Sequence, residues 1–400
     1  MTQDTTQKPN YTVPLIIMTA MFFLIGFITT MSNTLIGFLK DAFKLNETQA
    51  MLVNMSVYGA YIVSIPISWL MKKIGYKGGV LLGLAVVAAG YILLFPILGI
   101  PASSLGYILF LLTLLIVAIG VVLLQVAANP FVIALGTPET ASSRLVLVQS
   151  MNSVGTVIAP FFVTSLILTE ESKKMGPTAV QIPFLCIAGF TIVVVTLLYF
   201  IKLPVVKEED SSGTSAVPVK SSVWAYKNLV LGTLGIFMYM GVEVGVPSFF
   251  VKYSGMVDVT KATNFLMFYW GGMLLGRFAG IFVLKKFDTA KVIALYSVIA
   301  ALLLGASLAT NGMVAIVLIL LTGLFHSVLW PSIFNLAITD LGPYTKQASG
   351  IICTAVMGGG ILLLLQGAVA DSIGVKSSMF LLFIYYAYMV FFGLKGSKMR

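Results

Sequence analysis

The chain has 400 residues, 59% of them hydrophobic and only 10% charged, with a formal net charge of +10. A water-soluble domain carries about 25% charged residues, so this composition excludes a soluble globular protein. The positive balance does not mark a nucleic-acid binder either, because the basic residues are spread over short turns and form no single polar patch.

Apolar runs of about 20 residues can cross a bilayer as helices. Twelve such runs follow one another, at 12–38, 49–71, 78–99, 105–135, 142–169, 180–203, 224–251, 262–284, 289–310, 312–339, 346–370 and 375–394. They are too long and too uniformly apolar for the alternating strands of an outer-membrane barrel. The expected fold class is therefore an all-α membrane protein of twelve transmembrane helices. The first run lacks a basic leader and a small-residue cleavage site, and it reads as a span, not a signal peptide. With the N-terminus inside, the inner turns and span ends hold sixteen Lys and Arg residues and the outer ones seven, with Arg277 left well inside a span. That asymmetry predicts cytoplasmic termini at both ends.

The longest polar stretch, 204–222, is rich in Ser, Glu, Lys and Pro and reads as a cytoplasmic linker between a six-helix half at 1–203 and another at 223–400. The halves echo each other. Asn129-Pro130-Phe131 in the fourth run matches Trp330-Pro331-Ser332 in the tenth, and a basic residue, Arg144 or Lys346, precedes the fifth and eleventh. The turn from Lys72 to Lys77 after the second run matches Lys285-Lys286-Phe287-Asp288 after the eighth. Two parallel six-span repeats with a site between them near mid-depth form a secondary-transporter plan.

Other classes find no support in the motifs. No GxxxxGK[ST] loop is present, and Gly358-Gly359-Gly360 lies in an apolar run, where it serves close helix packing. The chain has one histidine, His326, and no HExxH or acidic pair, so neither an enzyme nor a metal or other bound cofactor is expected. His326 reads as a hydrogen-bonded interior residue. Cys186 and Cys353 lie in spans without metal-ligand spacing and read as small core hydrophobes.

Of fourteen carboxylates, only Glu243 falls well inside a span. An ionisable group at that depth is costly and defaults to a functional reading. Around it the spans hold a short list of amides and aromatics, among them Asn33, Gln125, Gln149, Asn152, Tyr269 and Trp330. Amides offer donors and acceptors together, and aromatic rings cover apolar C–H faces, which suits a neutral polyhydroxylated solute. Gln149 and Asn152 are three residues apart and share a helix face. Asn129 precedes Pro130, where the helix gives up a backbone bond, and its side chain is a candidate to satisfy the break. Arg277 and Glu243 differ in depth by about 5 Å, which makes an ion pair between them possible.

These motifs resemble the fucose–galactose–glucose/proton symporter family of the major facilitator superfamily. The resemblance spans nearly all twelve runs and is best around Met71–Gly75, Gln125–Phe131, Arg144–Gly155, Gly276–Gly280 and Gly358–Gly360. It implies sugar uptake by alternating access, with Gln149 and Asn152 at sugar-binding positions and Trp330 where the fucose carriers place a sugar-contacting tyrosine. Asn33 and Gln125 stand where those carriers hold an aspartate and a glutamate, and Glu243 stands where they hold a glutamine. This combination resembles the glucose/galactose branch, some of whose members are sodium-coupled. The resemblance also implies that Lys72, Lys73, Lys77 and Asp288 help close the cytoplasmic side.

The expected function is import of a neutral monosaccharide, such as glucose, galactose or fucose, with H+ or Na+ into a bacterial cell across its inner membrane. Asn33, Gln125, Gln149, Asn152, Tyr269, Trp330 and Glu243 would bind the sugar, and Glu243 the coupling cation. An uncoupled sugar facilitator or a sugar-sensing membrane protein are the alternatives. The expected partners are the sugar and the bilayer, with no nucleic acid, and the expected state is a monomer.

Overall fold

The computed structural model describes residues 11–42, 56–100, 104–163, 175–201, 220–254 and 259–399. Among them every long element is a helix and no strand occurs. The first half contains α1 (Thr12–Ala42), α2 (Ser64–Leu98), α3 (Ser104–Ala134), α4 (Ala141–Phe162) and α5 (Gln181–Phe200). The second contains α6 (Lys227–Tyr253), α7 (Val259–Lys286), α8 (Thr289–Ala309), α9 (Gly312–His326), α10 (Leu329–Ile338), α11 (Thr345–Thr354), α12 (Gly358–Ile373) and α13 (Leu381–Leu394). Between the halves, most of the expected linker lies outside the described residues.

Eleven stretches of described helix are long and apolar enough to cross a membrane. One of them, Ser56–Leu98, runs for 43 residues, about twice what a bilayer requires. It contains a break at Gly75, where φ is 69° and ψ is 178°, a backbone region open essentially to glycine alone. Met71 packs against Gly79, eight residues on, whereas a continuous helix would hold those positions about 12 Å apart. The arms 64–74 and 76–98 of α2 therefore fold back on each other as separate crossings. Counted that way, the spans number the twelve expected. Two others are each assembled from two helices, α9 with α10 and α11 with α12.

Beside its buried core the bundle leaves many large apolar side chains facing outward. Ile182, Phe161, Phe200, Leu275 and Leu302 are all exposed. Lipid takes the place of a protein core for such residues, and helices suit it because they satisfy their backbone bonds internally.

The halves meet at the end of the bundle that carries the Gly75 turn and the α3–α4, α7–α8 and α10–α11 connections. There α4 packs on α7, and α11 packs on α2. Ser143 Oγ donates to the Ile281 carbonyl at 2.8 Å, and Asn335 Nδ2 donates to Ser142 Oγ at 2.7 Å. Thr289 Oγ1 lies 3.1 Å from the same Ser142 hydroxyl. On the other seam Lys72 Nζ donates to Gln347 Oε1 at 3.1 Å, and Lys346 Nζ sits over the Tyr76 ring, 5.3 Å from its centre. Gly350 lets α11 approach Ser64 and Ser68 so closely that a methyl group would overlap them.

The basic residues divide differently from the sequence expectation. Lys77 donates to the carbonyls of Tyr199 and Ile201 in its own half, and Asp288 caps α8 by accepting from the Lys291 backbone at 3.0 Å. Among the described residues only Lys72 of that set binds across the halves. Arg144 and Lys346, which match by position, also do different work. Arg144 donates to the carbonyls of Val132, Ile133 and Thr137 and closes the C-terminus of α3, where cations are favoured.

Replacing Gly75 by alanine should cost about 1–3 kcal/mol through backbone strain. Melting temperatures of the purified protein in detergent check this. The control is Gly189→Ala, whose added methyl meets nothing within 4 Å; it should leave the melting temperature unchanged or raise it.

Candidate functional site

Proline determines where the site forms. It lacks an N–H, so a proline inside a helix leaves the carbonyl four residues earlier without its helical donor. At membrane depth water is not at hand to replace that donor, and another protein group must. Pro247 in α6 frees the Glu243 carbonyl, to which the Tyr269 hydroxyl of α7 donates at 3.3 Å. Pro331 in α10 frees the Ser327 carbonyl, to which Arg277 Nε donates at 3.3 Å. Pro130 in α3 frees the Val126 carbonyl, and Ser349 Oγ of α11 donates to it at 2.9 Å from the opposite half. Asn129 does not satisfy that break: its Nδ2 binds the Gln125 carbonyl at 2.9 Å, one residue short.

These contacts gather side chains around Glu243, which is half-buried on α6. Its carboxyl lies beside the Tyr239 hydroxyl and in the field of Arg277. From the opposite half, Tyr58 and Tyr61 lie within the electrostatic reach of the same carboxyl, and Tyr61 lies near Gln125. The ring of Tyr58 rests on Gly359 and Gly360, where a side chain on Gly359 would overlap it. The glycine run thus brings α12 close to Tyr58 beside the polar layer.

Arg277 is turned across the seam. Its Nη1 donates to the Gln149 carbonyl of α4 at 3.1 Å and to the Ser153 hydroxyl. Among the described residues no ion pair joins it to Glu243, so the pairing that depth allowed gives way to hydrogen bonds with the other half.

The remaining candidates separate. Gln149 is half-buried, and no protein partner for its side-chain amide occurs among the described residues. Asn152, on the same face, donates through Nδ2 to the Phe22 carbonyl of α1 at 3.1 Å, so that end of its amide joins helices. Gly26 and Gly155 allow the close approach of α1 and α4. Trp330 stacks on Phe334 with ring centres 5.1 Å apart and planes 16° apart. Tyr269 is fully buried and bonded on both sides, to the Glu243 carbonyl and to His326. Asn33 lies on α1, and its side chain falls outside the described residues.

The sequence reading did not select Tyr61, Tyr386, Ser153 or Ser349. Hydroxyls in apolar runs carry no charge signal, and the chain positions of Pro130 and Pro331 alone would have indicated which carbonyls needed donors.

Two sets of helices bonded to each other at one end, with polar side chains gathered where they meet in a multi-pass membrane protein, fit a transporter and not an enzyme. The chain belongs to the Major Facilitator Superfamily, which its residues 18–364 match. It is 42% identical to the glucose/galactose transporter of Brucella abortus biovar 1 (strain 9-941), over 99% of this chain and 97% of that protein. It is 31% identical to the L-fucose-proton symporter of Escherichia coli (strain K12), over 93% of this chain and 90% of that one. The crystal structure of the superfamily transporter FucP in the outward conformation superposes with a TM-score of 0.85 at 29% identity, covering 96% of this chain and 98% of that one. These likenesses place the chain in the glucose/galactose branch that the motifs indicated.

Arg277→Met removes the donors to Ser327, Gln149 and Ser153. Hydrogen bonds made by a charged group are worth about 1.5–3 kcal/mol each, so the open-seam population should rise about tenfold or more. The check is the labelling rate of Val146→Cys, buried between Ile281 and Val328, by N-ethylmaleimide in a chain with Cys186 and Cys353 replaced.

Proposed function

We propose that this chain imports a neutral monosaccharide, a hexose or deoxyhexose such as glucose, galactose or fucose, together with H+ or Na+. It would do so by alternating access across a bacterial inner membrane, as a monomer with both termini in the cytoplasm. The halves 1–203 and 223–400 would rock about a linker at 204–222. The observation that carries the reading is Glu243 well inside the apolar helix α6, beside Tyr239 and within the electrostatic reach of Tyr58 and Tyr61 of the opposite half. The names of the relatives, a glucose/galactose transporter and an L-fucose-proton symporter, supply the substrate class.

In this conformation the halves meet at the end carrying the Gly75 turn, so the solute and cation would enter from the opposite end. Gln125, Gln149, Asn152 and Asn33 would bind hydroxyls from the first half, and Trp330 and Tyr269 would flank the sugar from the second. An amide hydrogen-bonds but takes up no proton at physiological pH, which leaves Glu243 to hold the coupling cation. Sugar and cation together remove unpaired polar groups from a closing cavity, so joint occupancy favours closure at the entry end. The seam bonds of Ser143, Asn335, Lys72, Ser349 and Arg277 then part.

The test is uptake of D-glucose, D-galactose and L-fucose by proteoliposomes under separately imposed sodium and pH gradients. One gradient should drive accumulation. Glu243→Gln should abolish accumulation, bringing the sugar to equality across the membrane, while counterflow of pre-loaded sugar is retained. Uptake that equilibrates but never accumulates under either gradient would make the protein a facilitator and sink the symport reading.

A further inference from the structure

His326 is fully buried and joins helices that border the candidate site. Its carbonyl, at the end of α9, accepts from the Tyr239 hydroxyl at 3.1 Å. Its Nδ1 lies 2.8 Å from the Tyr269 hydroxyl, and its Nε2 lies 2.6 Å from the Tyr386 hydroxyl of α13. Tyr239 borders the Glu243 carboxyl, and Tyr269 bonds the Glu243 carbonyl. Both tyrosines are thus anchored on the chain's one histidine.

The proton arrangement follows from counting donors. Tyr269 has a single hydroxyl proton, and the Glu243 carbonyl, freed by Pro247, receives it. The contact between Tyr269 Oη and His326 Nδ1 must then be made by a proton on Nδ1. A neutral imidazole so protonated presents a lone pair at Nε2, and the Tyr386 hydroxyl donates to it. The opposite tautomer would draw the Tyr269 proton to Nδ1, leaving the freed carbonyl without this donor and the Tyr386 proton without an acceptor at Nε2.

We propose that His326 is a positioning residue for the sugar and cation site: held as the Nδ1–H tautomer by Tyr386, it fixes Tyr269 on the Glu243 carbonyl and so sets the surface that α6 and α7 present to the solute. It touches neither solute nor cation and acts through Tyr269 and Tyr239. The functional half of the proposal rests on the sugar-transport reading, whereas the tautomer rests on the count of donors and acceptors around Tyr269 and Tyr386.

Because the chain has one histidine, labelling histidine with ¹⁵N in the full-length protein gives one pair of ring-nitrogen signals in lipid bilayers. The expected result is a protonated Nδ1 and an unprotonated Nε2; the reverse assignment overturns the proposal. Two substitutions then separate positioning from packing. His326→Asn places an amide donor near the Nδ1 position, while His326→Gln reaches the Nε2 position and leaves Tyr269 without its donor. Binding of D-glucose, D-galactose or L-fucose should stay within about threefold of wild type for His326→Asn and weaken about tenfold or more for His326→Gln and Tyr386→Phe. Equal loss of affinity in the Asn and Gln variants, or unchanged affinity with only a lowered melting temperature, would reduce His326 to a packing residue. A wild-type protein that shows the Nδ1–H signals yet binds none of these sugars overturns the sugar reading and retains the tautomer.

Discussion

A backbone carbonyl without a donor is tolerable in water and costly in hydrocarbon. In this transporter prolines create such carbonyls at Val126, Glu243 and Ser327, and each recruits a side chain from another helix. The recruited groups are Ser349, Tyr269 and Arg277, and each belongs to a seam or to the site. Ser349 ties the halves together on one side. Arg277, anchored on Ser327, reaches across the other seam to Gln149 and Ser153. Tyr269 positions the backbone that carries Glu243. The polar layer at mid-depth is thus organised by a backbone requirement, and the sequence repeat of Pro130 and Pro331 is its outward sign.

The same requirement explains a difference between the halves. Their matching prolines call for donors at matching depths, but the donors differ in kind. A serine of the opposite half serves Val126, whereas an arginine of the same half serves Ser327 and has donors left for the neighbour. The pair Arg144 and Lys346 diverges likewise, one closing α3 and the other lying over Tyr76 across the interface. Repetition preserved helix count and break positions, and specialisation occurred in the side chains that fill the breaks.

Much of the fold was legible in the sequence because bilayer thickness translates directly into run length. Even the two arms joined at Gly75 separate cleanly in the apolar pattern, where the turn is basic and carries glycine. Glu243 was legible for an equally simple reason, since a carboxylate inside an apolar run is conspicuous. Partners were not. Sequence depth placed Arg277 within reach of Glu243, but reach does not choose among acceptors, and the Ser327 and Gln149 carbonyls hold it instead. Asn129 was the nearest polar group to the Pro130 break along the chain, while Ser349, 219 positions beyond it, is the one bonded to the freed carbonyl. Tyr269 was legible as a polar aromatic inside a span, but its bond to His326 and the part of Tyr386 were not, because aromatic residues in apolar spans do not announce their partners.

The two seams held by Ser143 and Ser349 share a property that follows from these residues' being hydroxyls. A serine on a helix can rotate its hydroxyl onto the carbonyl one turn earlier on its own strand of the ladder, as Ser150 and Thr354 already do in this protein. If the halves part as proposed, these donors would have a resting place in their own helix or the turn before it, and water admitted to the cleft could serve the acceptors they leave. Under the alternating-access reading proposed above, the interface would be a latch whose released parts are satisfied on either side of the transition, so that a modest solute could tip the balance.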